Sequence, residues 1–189
     1  AVMRAIPDLT IISPADCAEV CKTLEACVGF DHPVYIRLTG AVSCPVVYSE
    51  DYDFEIGKGV WLREAQKVTV ISAGTTVGHC LKAAAALEEG GINVGLLNMH
   101  TVKPLDREAI ANAVKISDTI FVVDEHTRIG GLGSAITDHI VEHHGMGVRL
   151  FCHGIDDRYV ETGNYPFLLQ KNGLDAAGIE AFIRTKLAL

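Results

Sequence analysis

The stretch VTVISAGTTVGHCLKAAAALEEGGINVGLL, Val68 to Leu97, decides the fold. Its first five residues, Val68 to Ser72, are a β-prone apolar run that reads as a strand. Val77 to Glu89 reads as a helix, because apolar positions recur there at helical spacing and the pair Gly90-Gly91 closes it. Ile92 to Leu97 is again strand-like. A strand, a helix of more than ten residues and a second strand imply a right-handed crossover and a parallel pair.

The pattern continues towards the C-terminus. A helix is predicted after Asp106, with Leu105, Ile110 and Val114 on its apolar side. A strand follows at Thr119–Val123, a helix from about Ser134 to His144, a strand at Val148–Phe151 and a last helix from Asp175 to Leu187. Asp106 and Asp175 each stand just before a helical run and read as N-caps. The expected architecture is α/β, a three-layer sandwich with a mostly parallel sheet covered on both faces.

Reading back towards the N-terminus, Leu9–Ile12 is a strand, a helix begins at Pro14 with Val20, Leu24 and Val28 spaced by fours, and Pro33–Leu38 is the next strand. Gly29 and the turn Asp31-His32-Pro33 end that helix. A single βαβ unit leaves both sheet edges and faces open, so it is expected to need strands supplied from elsewhere. From Thr39 to Arg63 the composition shifts to Gly, Pro, Ser and acidic residues, which reads as an exposed linker or a hairpin. We therefore expect two units, residues 1–50 and residues 51–189. The first residue is Ala rather than Met, which suggests a cut chain.

The chain has 189 residues, and its 24 acidic against 16 basic side chains give a formal charge of -8. A surface that tracks nucleic-acid phosphates has no electrostatic support in that balance. No apolar run approaches the roughly 18 residues of a membrane span, and the opening AVMRAIP lacks a signal-peptide layout, so a cytoplasmic protein is expected. The 6 cysteines contain no CxxC pair and read as reduced core residues.

The segment DEHTRIGGLGSA, Asp124 to Ala135, follows a strand and opens a helix, where glycines allow backbone amides to approach an anion. Its GGxG spacing departs from the dinucleotide fingerprint. Gly130, Gly131, Gly133 and Ser134 are thus candidates for an anion-binding or an interface loop. Glu125 and His126, at the carboxyl end of a strand, are candidates for acid–base work or for an interface, the second being favoured because no nucleophile or ligand set accompanies them. His139 and His143 lie four apart on one helix but not in an HExxH pattern, so a solvated face is the expectation.

Together these segments resemble the transketolase family, in order and over nearly the whole chain. MRAIPDLTI with Pro14-Ala15-Asp16, and PVYIRL from Pro33 to Leu38, are similar to the end of its pyrimidine-binding domain. TVKPLD (101–106), DEH (124–126), GGLGSA (130–135) and Gly173-Leu174-Asp175 resemble its C-terminal domain. The resemblance implies an enzyme that transfers two-carbon ketol units between sugars or sugar phosphates, using thiamine diphosphate and a divalent metal such as magnesium or calcium. It also implies that the cofactor is held by parts absent from this sequence, since neither a GDG motif nor the histidine-containing glycine-rich segment is present. This part is then inactive alone, binds no cofactor alone, pairs with the rest of the enzyme or a separate N-terminal subunit, and forms a homodimer. Where many members carry a sugar-phosphate arginine this sequence has Gly40, after Thr39, with Arg37 two to three residues earlier; these three would line the cleft rim. A deoxyxylulose-phosphate synthase, a 2-oxoacid dehydrogenase β subunit and a non-catalytic anion-binding module are the competing readings.

Overall fold

Val68 and Val70 bury on one face of their strand and Ile71 on the other, and this alternation organises the molecule. The computed structural model describes residues 1–39, 44–145 and 147–188. After a short 3-10 helix at Val2–Ala5, the chain forms β1 (Thr10–Ile12), α1 (Cys17–Cys27), β2 (Val34–Ile36), β3 (Val60–Arg63), β4 (Val68–Ser72), α2 (Thr76–Glu89), β5 (Val94–Asn98) and β6 (Thr101–Lys103). It continues with α3 (Arg107–Ile116), β7 (Thr119–Thr127), α4 (Leu132–His144), β8 (Arg149–Ile155), α5 (Tyr165–Lys171) and α6 (Ala176–Leu187).

The larger sheet has the order β3-β5-β4-β7-β8, parallel except for the antiparallel edge pair β3–β5. α2, α5 and α6 cover one face, where Leu87, Leu174 and Ile183 pack on Val70, Leu96 and Phe121. α3 and α4 cover the other, with Ile110 and Ile136 against Ile71, Leu97 and Val122. The expected three-layer sandwich is therefore present. Phe121 is wholly buried and stacks on Phe151 at 5.4 Å and edge-on to Phe182 at 5.9 Å, joining the sheet to α6. Gly95 is required in β5 because a Cβ there would lie 2.7 Å from the Glu64 carbonyl oxygen.

The N-terminal unit is not held by its own βαβ contacts alone. β1 pairs in parallel with β2 and antiparallel with β6, a strand of the second unit. Beyond β1, the Ser13 amide donates to the His100 carbonyl at 2.8 Å, and the Gly74 amide donates to the Ser13 carbonyl at 2.9 Å. The acidic stretch expected as an exposed linker is pinned from both sides and contains β3. Val47 and Tyr48 amides donate to Asp16 Oδ2 at 2.8 and 3.0 Å, the Gly57 amide to Thr101 Oγ1 at 3.0 Å, and the Gly59 amide to Asp106 Oδ2 at 2.8 Å. Side-chain oxygens accept amides there in place of strand partners, which is why no hydrophobic periodicity announced the order.

Asp16, Asp106 and Asp175 cap α1, α3 and α6 by accepting the amides of Glu19, Ala109 and Gly178. α1 starts at Cys17, later than Pro14, because the Asp16 carboxylate is the capping group. Among the described residues no cysteine forms a disulfide, but only Cys80 is buried, while Cys17 and Cys21 are exposed. The expectation of core cysteines fails on α1 because its inner face is occupied by Glu19 and Thr23.

Candidate functional site

In the large sheet the chain leaves β4 through α2 to β5 on one side, then returns through α3 to β7 on the other, so strand order reverses between β4 and β7. Ligand crevices in open parallel sheets form at the carboxyl ends of such strands. Here Ala73-Gly74-Thr75 ends one wall and Asp124-Glu125-His126 the other. The crevice is filled from within the chain. Thr75 Oγ1 lies 2.8 Å and Tyr165 Oη 2.5 Å from Glu125 Oε2, and the two hydroxyls are 2.6 Å apart. Arg37, just past β2, donates from Nη2 to the Glu125 carbonyl at 2.8 Å and sits 3.9 Å from Glu125 Oε1. Thr39 lies near the Tyr165 hydroxyl and works against the rise of its pKa. Burial, then the neighbouring Glu125, pushes the Tyr165 phenol up, so it stays a proton donor near neutral pH.

Of the sequence-predicted residues, Glu125, Arg37 and Thr39 thus meet in one cluster. Gly40 lies outside the described residues. His126 turns away, its Nδ1 paired with the Thr127 carbonyl at 2.8 Å. Glu125 has its Oε2 committed to two hydroxyls, which leaves it poorly placed as a free acid or base. Tyr165 and Thr75 were not anticipated. The sequence Asn164-Tyr165-Pro166 carries a cap-and-proline helix start that would have revealed α5, since Asn164 accepts the Phe167 amide at 3.0 Å.

At the glycine loop two amides, those of Gly130 and Leu132, have partners within the chain. Leu132 donates to Asp124 Oδ2 at 3.1 Å and Gly130 to Ser134 Oγ at 2.9 Å. Asp124 takes the place of an external anion at the start of α4, and burial raises its pKa. Arg4 donates to the Gly130 and Gly131 carbonyls at 2.8 and 3.1 Å, closing the loop from the N-terminal side. Gly133 packs so close to Cys152 that a Cβ would lie 2.9 Å from its Sγ, which explains the glycine by helix–strand approach. A cavity of about 350 Å³ separates the loop from Met3, Ile11 and Tyr35. The His139 and His143 rings meet at a tilt of 57° with centroids 4.5 Å apart, and no group of three or more His, Cys, Asp or Glu among the described residues is placed to hold a metal.

This is an α/β sandwich whose sheet-end crevice is closed by the chain leaving β2 of the smaller sheet. The family model described as transketolase, C-terminal domain, matches residues 57–179, and the chain belongs to that family. An apulose-4-phosphate transketolase subunit of Phocaeicola vulgatus is 37% identical over 180 residues, which is 95% of this chain and 56% of the relative. 1-Deoxy-D-xylulose-5-phosphate synthase 1 of Geobacter sulfurreducens is 36% identical over 97% of this chain and 30% of its own. Among solved structures, a split-gene transketolase described as an inactive beta4 tetramer superposes with a TM-score of 0.87 at 33% identity, over 100% of this chain and 60% of that one. The chain spans little more than half the length of the transketolase-subunit relative it matches.

Thiamine diphosphate with a divalent metal on its diphosphate is the cofactor that membership implies. The residues present do not fit that group by themselves. Beyond the lack of a metal cluster among the described residues, the arginines facing the cavity are engaged, Arg4 on loop carbonyls and Arg37 on Glu125. No helix among the described residues is long and apolar enough to cross a membrane.

Proposed function

We propose that this chain is the C-terminal portion of a cytoplasmic transketolase-like enzyme that moves two-carbon ketol units between sugars, and that it shapes the dimer and one rim of the cleft. The observation that carries this reading is the anchoring of Arg37, from the strand end that resembles the pyrimidine-binding domain, into the crevice between β4 and β7. One block of two units then presents a rim to parts supplied elsewhere. Those parts bring thiamine diphosphate and its metal. The Phocaeicola relative, itself described as a subunit of a transketolase, supports a separate N-terminal subunit as partner, and the inactive tetramer of the similar split-gene chain supports self-association without activity.

A second reading, a deoxyxylulose-phosphate synthase, is favoured by the 36% identical relative that covers 97% of this chain. A product assay on the complete enzyme separates the two. Thiamine-diphosphate-dependent ketol transfer between sugar phosphates supports the first, and condensation of pyruvate with glyceraldehyde phosphate supports the second. Absence of both products overturns the enzyme reading.

A further inference from the structure

We propose that Glu125 and Tyr165 form a clamp that positions the rim residues Arg37 and Thr39 for substrate binding, a role that rests on the reading of the chain as part of a transketolase-like enzyme. Four observations converge on the clamp. Arg37 reaches across from the end of β2 and donates to a backbone carbonyl of β7, a fixed acceptor that does not titrate. The Arg37 and Glu125 side chains are only 32% and 19% exposed, so solvent competes weakly for the contact. Tyr165 is a hub that bonds Glu125 and Thr75, joining α5 to β7 and to the start of α2, with Thr39 close by. Gly74, with φ +67, brings the end of β4 tightly against Ser13 and into van der Waals range of the Arg37 guanidinium, whose Nη1 would lie 3.7 Å from a Cβ at that position.

The chemistry separates positioning from substrate binding. Arg37 spends its Nη2 on Glu125, so it serves as a strut that sets where the strand end lies. Arg37 is held by the backbone carbonyl of Glu125, 88 residues away in the chain, with the Glu125 carboxylate 3.9 Å from the same nitrogen. That unit thereby gains influence over the cleft without touching the cofactor. Loosening the clamp should weaken sugar binding and spare cofactor binding.

The test uses Tyr165→Phe, which keeps the ring and removes the hydroxyl, and Glu125→Gln as an independent second variant. In this chain, amide exchange at residues 37 to 39 should become about tenfold faster, the loss of one strong hydrogen bond, while α2 and α6 keep their protection. In the complete enzyme, the sugar KM should rise about tenfold with kcat and thiamine-diphosphate affinity nearly unchanged, as expected for lost uniform binding. Unchanged exchange in both variants overturns the clamp. Faster exchange with unchanged KM overturns the positioning role and leaves a structural contact only. A complete wild-type enzyme that transfers no ketol unit overturns the functional reading and the positioning role with it, and the exchange result then decides the clamp alone.

Discussion

Asn98 and Glu19, 79 residues apart in the chain, meet as a fully buried pair in which the amide Nδ2 donates to both carboxylate oxygens at 2.9 and 3.1 Å. The Ala15 amide and the Tyr52 hydroxyl donate to the same carboxylate at 2.6 and 3.0 Å. One side chain of α1 thereby ties together the N-terminal unit, the pinned acidic stretch and the edge of the large sheet. Such a group is costly to remove, because its donors are then left buried without acceptors.

Glu19→Leu is accordingly expected to destabilise the chain by about 3 kcal/mol, while Glu19→Gln, which keeps an acceptor oxygen, costs roughly half as much. Urea unfolding with an unchanged m-value measures this. Equal stability of both variants and the wild type would show that the N-terminal unit is not fastened through Glu19.

His100 supplies a pH dependence. It is fully buried against Phe54, its Nε2 has no partner, and its Nδ1 lies 3.0 Å from Thr101 Oγ1, which already accepts the Gly57 amide. Burial lowers the pKa from 6.5 to about 4. The unfolded chain binds the extra proton first, so the contribution of His100 is complete above pH 6.5 and is lost as pH falls towards 4, amounting to roughly 3 kcal/mol. Burial raises the pKa of Glu19, which acts in the opposite sense: its contribution is present at low pH and fades as pH rises through its folded value. Stability measured from pH 7 to 4 should fall more steeply in the wild type than in His100→Phe, and parallel curves would refute the assignment.

Gly74→Ala combines a left-handed backbone with a Cβ placed 2.7 Å from Ser13 Oγ. We expect a loss of about 2 kcal/mol, of which a second change, Ser13→Ala, restores the steric part but not the backbone part. Differential scanning calorimetry of the single and double variants checks it; no recovery in the double variant would remove the proposed clash with Ser13.

Gly131 has a Cβ position 3.0 Å from Asp124 Oδ2 and 3.1 Å from His126 Nδ1, and it is not among the positive-φ glycines. Gly131→Val should therefore loosen the Asp124–Leu132 cap of α4 and lower the melting temperature of the chain. In sedimentation, wild type should be at least a dimer at micromolar concentration and the variant more monomeric. A monomeric wild type would reject self-association, and a variant with native melting and assembly would clear the loop.

Legibility in the sequence followed burial. The strands read at Val68–Ser72, Ile92–Leu97 and Thr119–Val123 are mostly apolar and buried on both faces and were readable as a parallel sheet, as were helices announced by Asp106 and Asp175. β3, β6 and α5 were missed because each is short and its burial pattern is partial, so neither a period nor an apolar run stands out. At the site, Glu125 and Arg37 stood at suggestive strand ends, but their pairing depends on contacts 88 residues apart in the chain, and Tyr165 comes from a further 40 residues beyond Glu125. Side-chain networks of that kind leave no local periodicity. The acidic stretch around Ser49 to Asp53 reads as solvated by composition, although Asp16, Glu19 and Asp106 supply the acceptors that order its neighbours.

The central claim is that this chain completes a thiamine-diphosphate enzyme without holding the cofactor itself. Calorimetric titration with thiamine diphosphate and magnesium, run on this chain alone and on the complete enzyme, tests it most directly. We predict no binding tighter than millimolar for the chain alone and micromolar binding by the complete enzyme; micromolar binding by the isolated chain would contradict the account.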